Sequence, residues 1–319
     1  MRVLLTGYSG FLGRHIARVL IKEEFYVRVL LNRKTILRQD VLKESHEVQW
    51  GSIEDQNTVQ EALRDIAVVV QCAWTFNHQD ALHPTVNETG SELLIKESIK
   101  AGVKKFVFIS SVAVYGMKKK HEGFIDESNP TVSEANETFI YPVEKYSVEN
   151  SLRSLSKGNI ELGIFRPGPI FDDSRGIIKK DIHIFGSDYG IGIGHGRNKM
   201  AFIHAQDVAN AVLQWVNNGK GSCVFNVTPS RCLSYKEWYA AWGKLHGKRI
   251  KPLFIPGFIF ILMSFAIKTL KRLLKKESKS DVKYAVACAT RDLCYSNLKI
   301  KETLKWSDKA TQKYLNQLS

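Results

Sequence analysis

The 319-residue chain has no two cysteines at Cys-x-x-Cys spacing, and its five (Cys72, Cys223, Cys232, Cys288 and Cys294) are odd in number and scattered. That excludes a cysteine metal knuckle and a dithiol redox motif and argues against a disulfide framework; no metal is expected, and reduced thiols in a cytoplasmic setting are. No apolar run approaches the ~20 residues a bilayer-spanning helix needs. The longest, residues 257–267, has eleven. No leader is expected, because residues 1–5 already read as a strand. Acidic residues are in deficit, with a net charge of +14, yet no RNP, zinc-finger or helix-turn-helix pattern accompanies it. A nucleic-acid partner is therefore not expected. Solvated basic surface is the plain reading of the charge; an acidic ligand or an anionic membrane surface is the sharper one.

What remains is an ordinary globular composition, 44% hydrophobic and 24% charged. Short apolar runs at 2–6, 26–31, 47–50, 67–72, 105–110 and 160–166 alternate with helical patterns at 11–22, 58–64, 89–101 and 141–156. Runs such as Val68-Val69-Val70 suit parallel strands covered on both faces. The expected architecture is α/β, a Rossmann-type doubly wound parallel sheet with a smaller C-terminal substrate lobe. A dinucleotide-binding domain over 1–166, with returns near 200–227, would precede a substrate lobe over 167–319. Glycines crowd residues 186–196 and predict a mobile or ligand-facing loop. Helices at 205–217 and 235–246 flank a strand at 224–227. The apolar start and basic end of residues 256–276 predict a packed helix or lid, or a peripheral membrane contact.

Thr6-Gly7-Tyr8-Ser9-Gly10-Phe11-Leu12-Gly13 directly follows a strand and opens a helix. Gly7 permits the tight turn, Gly10 clears the way to a pyrophosphate, and Gly13 lets helix and strand approach. The helix N-terminus then presents free N–H groups to the phosphates. An NAD-selective site usually ends its second strand in a carboxylate that takes the ribose hydroxyls. Here Leu31 stands about there, followed by Asn32-Arg33-Lys34, and the nearest downstream acid is Asp40. NADP(H) is therefore favoured over NAD(H), because Arg33, Lys34 or Arg38 could take a 2′-phosphate.

Tyr141 and Lys145 stand four residues apart, on one helical face. A phenol near its reference pKa of about 10 is a poor base, and an adjacent ammonium would draw it down. Ser110 and Ser111 end the strand at 105–110, where ligands bind in open α/β sheets. Ser111 is read as a hydrogen-bond donor to the reacting oxygen, and Ser110 as a backbone cap. The neighbours Val112 and Ala113 supply no further acid or base, which counts against a dehydratase.

These motifs, in this order, resemble the extended short-chain dehydrogenase/reductases, also called the NAD-dependent epimerase/dehydratase family, over roughly residues 1–227. Gly7, Gly10 and Gly13 match its glycine motif, Asn87 and Gly90 its Asn-x-x-Gly, and Ser111, Tyr141 and Lys145 its catalytic trio. Residues 166–171 look like the stretch beneath the nicotinamide, and residues 202–209 resemble a later motif rich in Val-Asp-Asp-Val-Ala. The resemblance implies cofactor contacts from Thr6, Gly7, Gly10, Phe11, Leu12, Gly13, Asn32, Arg33, Ser52, Ile53, Ala73, Tyr141, Lys145, Pro167 and Ile170. It implies a homodimer as well. Two departures stand out: Ser52 replaces the usual Gly-Asp acid, and Pro169 replaces the asparagine that holds the ligand in nucleotide-sugar members. Arg166-Pro167-Gly168-Pro169 is instead similar to 3β-hydroxysteroid-dehydrogenase-like and dihydroflavonol-reductase-like members. The expected function is hydride transfer between a secondary alcohol and a ketone, with substrate near Trp74, Val112, Tyr115, Phe171, Met200 and His204. The alternatives are a nucleotide-sugar epimerase, dehydratase or reductase, and a non-catalytic dinucleotide sensor.

Overall fold

A computed structural model describes residues 1–32, 47–75, 85–116, 124–132, 139–173, 183–185, 189–245, 247, 249–262 and 282–318. The chain begins with β1 (Arg2–Thr6), α1 (Phe11–Lys22), β2 (Tyr26–Leu31), β3 (Glu47–Trp50), α2 (Gln56–Ala62), β4 (Val68–Gln71) and α3 (Val86–Lys100). It continues through β5 (Lys105–Ile109), α4 (Ile140–Ser156), β6 (Glu161–Pro167), β7 (Ile170–Phe171), β8 (His183–Phe185), β9 (Tyr189–Ile193), β10 (Lys199–Met200) and β11 (Ile203–His204). The last part holds α5 (Ala205–Asn218), β12 (Cys223–Val227), β13 (Leu233–Ser234), α6 (Tyr235–Leu245), β14 (Lys251–Ile255), α7 (Val282–Thr290), α8 (Leu298–Leu304) and α9 (Lys309–Leu315).

Seven strands pair in the order β12-β6-β5-β4-β1-β2-β3, all parallel. Their runs of buried Val, Leu, Ile and Phe reflect cover on both faces. One face packs Ile16, Leu20, Val208, Val212 and Trp215 from α1 and α5. The other packs Val59, Leu94, Ile95, Val148 and Leu152 from α2, α3 and α4. The chain leaves β1 for β2 on one side and reaches β4 on the other. That reversal opens a crevice beyond the carboxyl ends of β1 and β4, the usual ligand site of such sheets.

Two helix starts fall earlier than the sequence pattern suggests, for a local reason. Asp55 caps α2 by accepting from the Thr58 N–H, and Thr85 and Glu88 form a reciprocal capping box on α3. Both caps satisfy orphan N–H groups, so the helices begin at Gln56 and Val86.

A second core lies outside the sheet and joins Tyr115, Phe171, Met200, Phe202, Trp238, Tyr239, Leu293, Tyr295 and Tyr314. The glycine-rich stretch expected as a loop is in part the strand β9, paired with β8 and β14. Its glycines admit aromatic rings onto the strand: a Cβ on Gly190 would stand 2.5 Å from the Tyr239 ring, and one on Gly192 2.7 Å from Phe254. Asp207 on α5 accepts from the N–H groups of Ala310 and Thr311 and from the Thr311 hydroxyl, at 2.9, 2.7 and 2.6 Å. It thereby fastens α9 to the sheet layer.

Candidate active site

The crevice between β1 and β4 holds a cleft of about 320 Å³ lined by Thr6, Gly7, Ser9, Gly10, Leu31, Asn32, Ser52, Ile53, Ala73, Trp74 and Asn87, among others. It is shaped for close backbone approach. A Cβ on Gly7 would lie 2.4 Å from the Ala73 nitrogen, and one on Gly13 2.2 Å from the Gly7 oxygen. Gly7 also has φ +75°, where L side chains are strained. No acidic residue occupies the first turn of α1, so its N–H groups and positive dipole end face the cleft uncompensated. The Thr6 hydroxyl accepts from the Ala73 N–H at 3.2 Å and closes the crevice floor. These features fit the pyrophosphate and adenosine end of a dinucleotide.

Of the expected cofactor contacts, Thr6, Gly7, Gly10, Asn32, Ser52, Ile53 and Ala73 line this cleft. Phe11 and Leu12 open α1 beside it, and Pro167 and Ile170 end β6 and begin β7. Arg33, Lys34 and Arg38 lie outside the described residues. The Ser52 hydroxyl accepts from the Glu54 N–H at 3.2 Å.

Ser111, Tyr141 and Lys145 gather beside Trp74, which lines the cleft. The Ser111 hydroxyl accepts from the Ala113 N–H at 3.1 Å, capping a short 3-10 turn at Val112–Tyr115, and also hydrogen-bonds the Tyr141 phenol. Capping thus falls to Ser111, the reverse of the expectation for Ser110, whose buried hydroxyl has no hydrogen-bond partner among the described residues. Lys145 is buried and donates to the Ile109 carbonyl at 2.8 Å. Its ammonium also lies 3.4 Å from the centre of the Trp74 ring, and Trp74 meets Tyr141 edge to face at 6.2 Å.

This arrangement corrects one electrostatic expectation. Burial pushes the Tyr141 phenol up from its ordinary value, the Ser111 hydrogen bond opposes that rise, and Glu144 adds to it. The Lys145 ammonium sits against the Trp74 face and the Ile109 carbonyl. Burial in turn draws Lys145 down to about 7. Between pH 7 and 10.5 the unfolded chain therefore binds a proton here that the folded chain does not, so this site's contribution to stability rises with pH across that window. Lys145→Met should accordingly be more stable than the parent at pH 7, by about 1–3 kcal/mol. Its advantage should shrink towards pH 10.5. Thermal unfolding of both proteins across that range checks the sign.

Glu144 and Cys288, absent from the expected contacts, stand near Tyr141, and Asn87, expected from its Asn-x-x-Gly motif, lines the cleft. Glu144, one residue before Lys145, is buried and accepts from Asn87 Nδ2 at 2.9 Å and from the Thr85 hydroxyl. Asn87 also donates to the Thr75 carbonyl and accepts from the Thr75 N–H, at 2.8 and 2.9 Å. It thus clamps the segment carrying Trp74 to α3 and α4. Cys288 on α7 lies within electrostatic reach of the Tyr141 phenol. A carboxylate among the inward positions of α4 was a readable signal; no local pattern announced Cys288.

Of the six expected substrate residues, Trp74 stands beside the trio and Val112 is buried next to Ser111. The other four are packed into the second core. The Tyr115 hydroxyl accepts from Arg166 at 2.9 Å and donates to Asn226 at 2.8 Å. Arg166 in turn binds Glu149 of α4 through two nitrogens at 3.0 and 2.6 Å, a fully buried bidentate pair. Phe171 packs on Trp238 and Tyr314, Met200 is buried, and His204 caps α5 by accepting from the Gln206 N–H at 3.1 Å. Tyr115, Phe171, Met200 and His204 were candidates for substrate contact, and all four side chains help fill this core.

The model of the NAD dependent epimerase/dehydratase family matches residues 3–228. The chain belongs to this family. Among relatives, it is 28% identical to the uncharacterized protein y4nG of Sinorhizobium fredii, across 70% of the chain and 55% of that protein, so it spans about half that relative's length. It is 27% identical to the N-acetyl-alpha-D-glucosaminyl-diphospho-ditrans,octacis-undecaprenol 4-epimerase of Escherichia coli O157:H7, across 90% of the chain and 86% of the relative. Its fold is similar to that of MoeE5 in complex with UDP-glucuronic acid and NAD, with a TM-score of 0.72 at 18% identity over 98% and 96% of the two chains. The family places the chain among NAD-dependent enzymes of the extended short-chain type. Among the described residues no group of His, Cys, Asp or Glu could hold a metal ion, and no helix is long and apolar enough to cross a membrane.

Proposed function

We propose that this chain oxidises a secondary alcohol of its substrate reversibly to a ketone, with Tyr141 as the acid/base. The observation that carries the reading is the Ser111–Tyr141 hydrogen bond, with Tyr141 and Lys145 both against Trp74, which lines the glycine cleft. When bound, the nicotinamide supplies a hydride acceptor and donor. Thr6, Gly7, Gly10, Phe11, Leu12, Gly13, Asn32, Ser52, Ile53 and Ala73 would hold the dinucleotide, with Pro167 and Ile170 beside its nicotinamide end. In oxidation the substrate O–H proton passes to the Tyr141 oxygen as the carbinol C–H leaves as hydride. In reduction the Tyr141 proton goes to the ketone oxygen. A phenol pushed up by burial is protonated at neutral pH and suits the second direction; the first requires Tyr141 as the phenolate, which the Ser111 hydrogen bond favours. Ser111, whose oxygen accepts from Ala113 and whose hydroxyl pairs with Tyr141, would turn its proton to the reacting oxygen when substrate enters. Substrate would lie between this cleft and the second core.

Identity across nearly the whole length of a diphospho-sugar 4-epimerase, together with the +14 charge, favours a diphosphate-linked sugar as substrate. The ketone is then reduced again on its other face. A second reading, net oxidation or reduction of a less polar alcohol, is favoured by Pro169, which has no side-chain donor for a sugar or phosphate. Mass spectrometry of small molecules retained by the purified protein separates the two. Retained NAD with sugar isomerisation and no added reductant supports the first; turnover that consumes free cofactor supports the second.

The cofactor preference we propose is NADP(H). Leu31 ends β2, buried, where an acid would repel the 2′-phosphate, and Asn32-Arg33-Lys34 follows. Leu31→Asp should shift the ratio of the two dissociation constants towards NAD by about tenfold or more, read by isothermal titration. A preference that stays unchanged would remove the basis for NADP. A homodimer in solution is also proposed, on the family resemblance alone.

A further inference from the structure

Residues 257–262, Gly-Phe-Ile-Phe-Ile-Leu, form a helical stretch entered through Pro256. Three of the six face inward: a Cβ on Gly257 would stand 2.9 Å from Val286, and Phe260 and Ile261 pack against the second core. The outward three are equally apolar, with Phe258 66%, Ile259 36% and Leu262 65% exposed. On β14 the inward ring of Phe254 packs on Tyr239 at 6.2 Å, while Leu253 points out, 61% exposed. A helix bordering water normally turns polar side chains outward. Four large apolar side chains exposed within residues 253–262 form a patch of the kind that marks an interaction face.

The charge in this part of the chain favours one occupant. Between Glu237 and Glu277 the sequence carries nine lysines and arginines and no carboxylate. Among the described residues, Arg249 and Lys251 are exposed just before Leu253, and the exposed Lys236 places its ammonium 5.7 Å from the Phe254 ring. An apolar face flanked among the described residues by Lys236, Arg249 and Lys251 is complementary to an anionic lipid surface, whereas a neutral protein groove would leave those cations unmatched.

We propose that the face formed by Leu253, Phe258, Ile259 and Leu262 docks on an anionic membrane. The helix lies on the lipid rather than through it. Gly257, on the opposite side of the same stretch, packs against Val286 of α7, which holds the face in place. The docking goes beyond the hydride-transfer reading and does not depend on it.

Co-sedimentation of the full chain with vesicles tests the idea. It should partition onto phosphatidylcholine vesicles containing about one third phosphatidylglycerol, bind weakly to phosphatidylcholine alone, and be released by salt. Phe258→Ser with Leu262→Ser should lower partitioning by about tenfold or more while dinucleotide affinity and thermal unfolding stay as in the parent. Tyr141→Phe should partition normally, so loss of turnover leaves this result standing. Three results would overturn the proposal: no sedimentation of the parent, undiminished sedimentation of the double variant, or a double variant that merely changes from dimer to monomer on size-exclusion chromatography.

Discussion

Tyr141→Phe should lose about a thousandfold or more in kcat while its dinucleotide affinity stays within about twofold of the parent. The substitution removes one oxygen from a ring that remains packed edge to face on Trp74. That oxygen hydrogen-bonds Ser111 and, in this account, carries the proton to and from substrate. Ser111→Ala should cost less, about ten- to a hundredfold, because the phenol remains and only the directing donor is lost. Steady-state kinetics paired with titration of the cofactor reads both. A Tyr141→Phe enzyme at parental rate would require a different acid, and Glu144 is the neighbour to test next.

Gly13→Ala should weaken dinucleotide binding at least about a hundredfold and destabilise the fold by about 3 kcal/mol. The new methyl would stand 2.2 Å from the Gly7 oxygen and 2.8 Å from its carbonyl carbon, both backbone atoms fixed by the turn. Helix α1 must then move away from β1, taking with it the N–H groups that face the pyrophosphate. Gly102→Ala is the control. Gly102 has a positive φ of +75°, and a methyl added there would meet no atom within 4 Å. Only its backbone conformation is penalised, by about 1 kcal/mol, and binding is unchanged. Isothermal titration and thermal unfolding of the two variants separate the cradle from glycine effects in general. Equal behaviour of Gly13→Ala and Gly102→Ala would contradict the close approach on which the cradle depends.

The sheet was readable because each strand is a short apolar run bounded by a helix pattern, and parallel pairing buries both of its faces. The glycine cradle was readable for a related reason: the turn tolerates no side chain at Gly7 or Gly13, so the spacing survives in the residues themselves. What stayed hidden depends on contacts distant in sequence. The effect of Lys145 on Tyr141 could not be read from their four-residue spacing, because Trp74 arrives from the end of β4 and engages both. Tyr115 looked like a ligand contact until Arg166, Glu149 and Asn226 were seen to use its hydroxyl inside a buried network. The glycines near 190 suggested a loop, and only the rings of Tyr239 and Phe254 explain why a strand needs them.

Hydride transfer at the Ser111–Tyr141–Lys145 site is the central claim, and its most direct measurement is absorbance at the wavelength of reduced nicotinamide in a rapid-mixing experiment. The protein, loaded with oxidised dinucleotide, is mixed with diphosphate-linked sugars and with apolar secondary alcohols. Absorbance should rise, transiently or lastingly, with at least one of these classes, and should not rise for Tyr141→Phe loaded with the same dinucleotide. A rise of equal size and rate in Tyr141→Phe, or no rise with any substrate although the dinucleotide is bound, would contradict it.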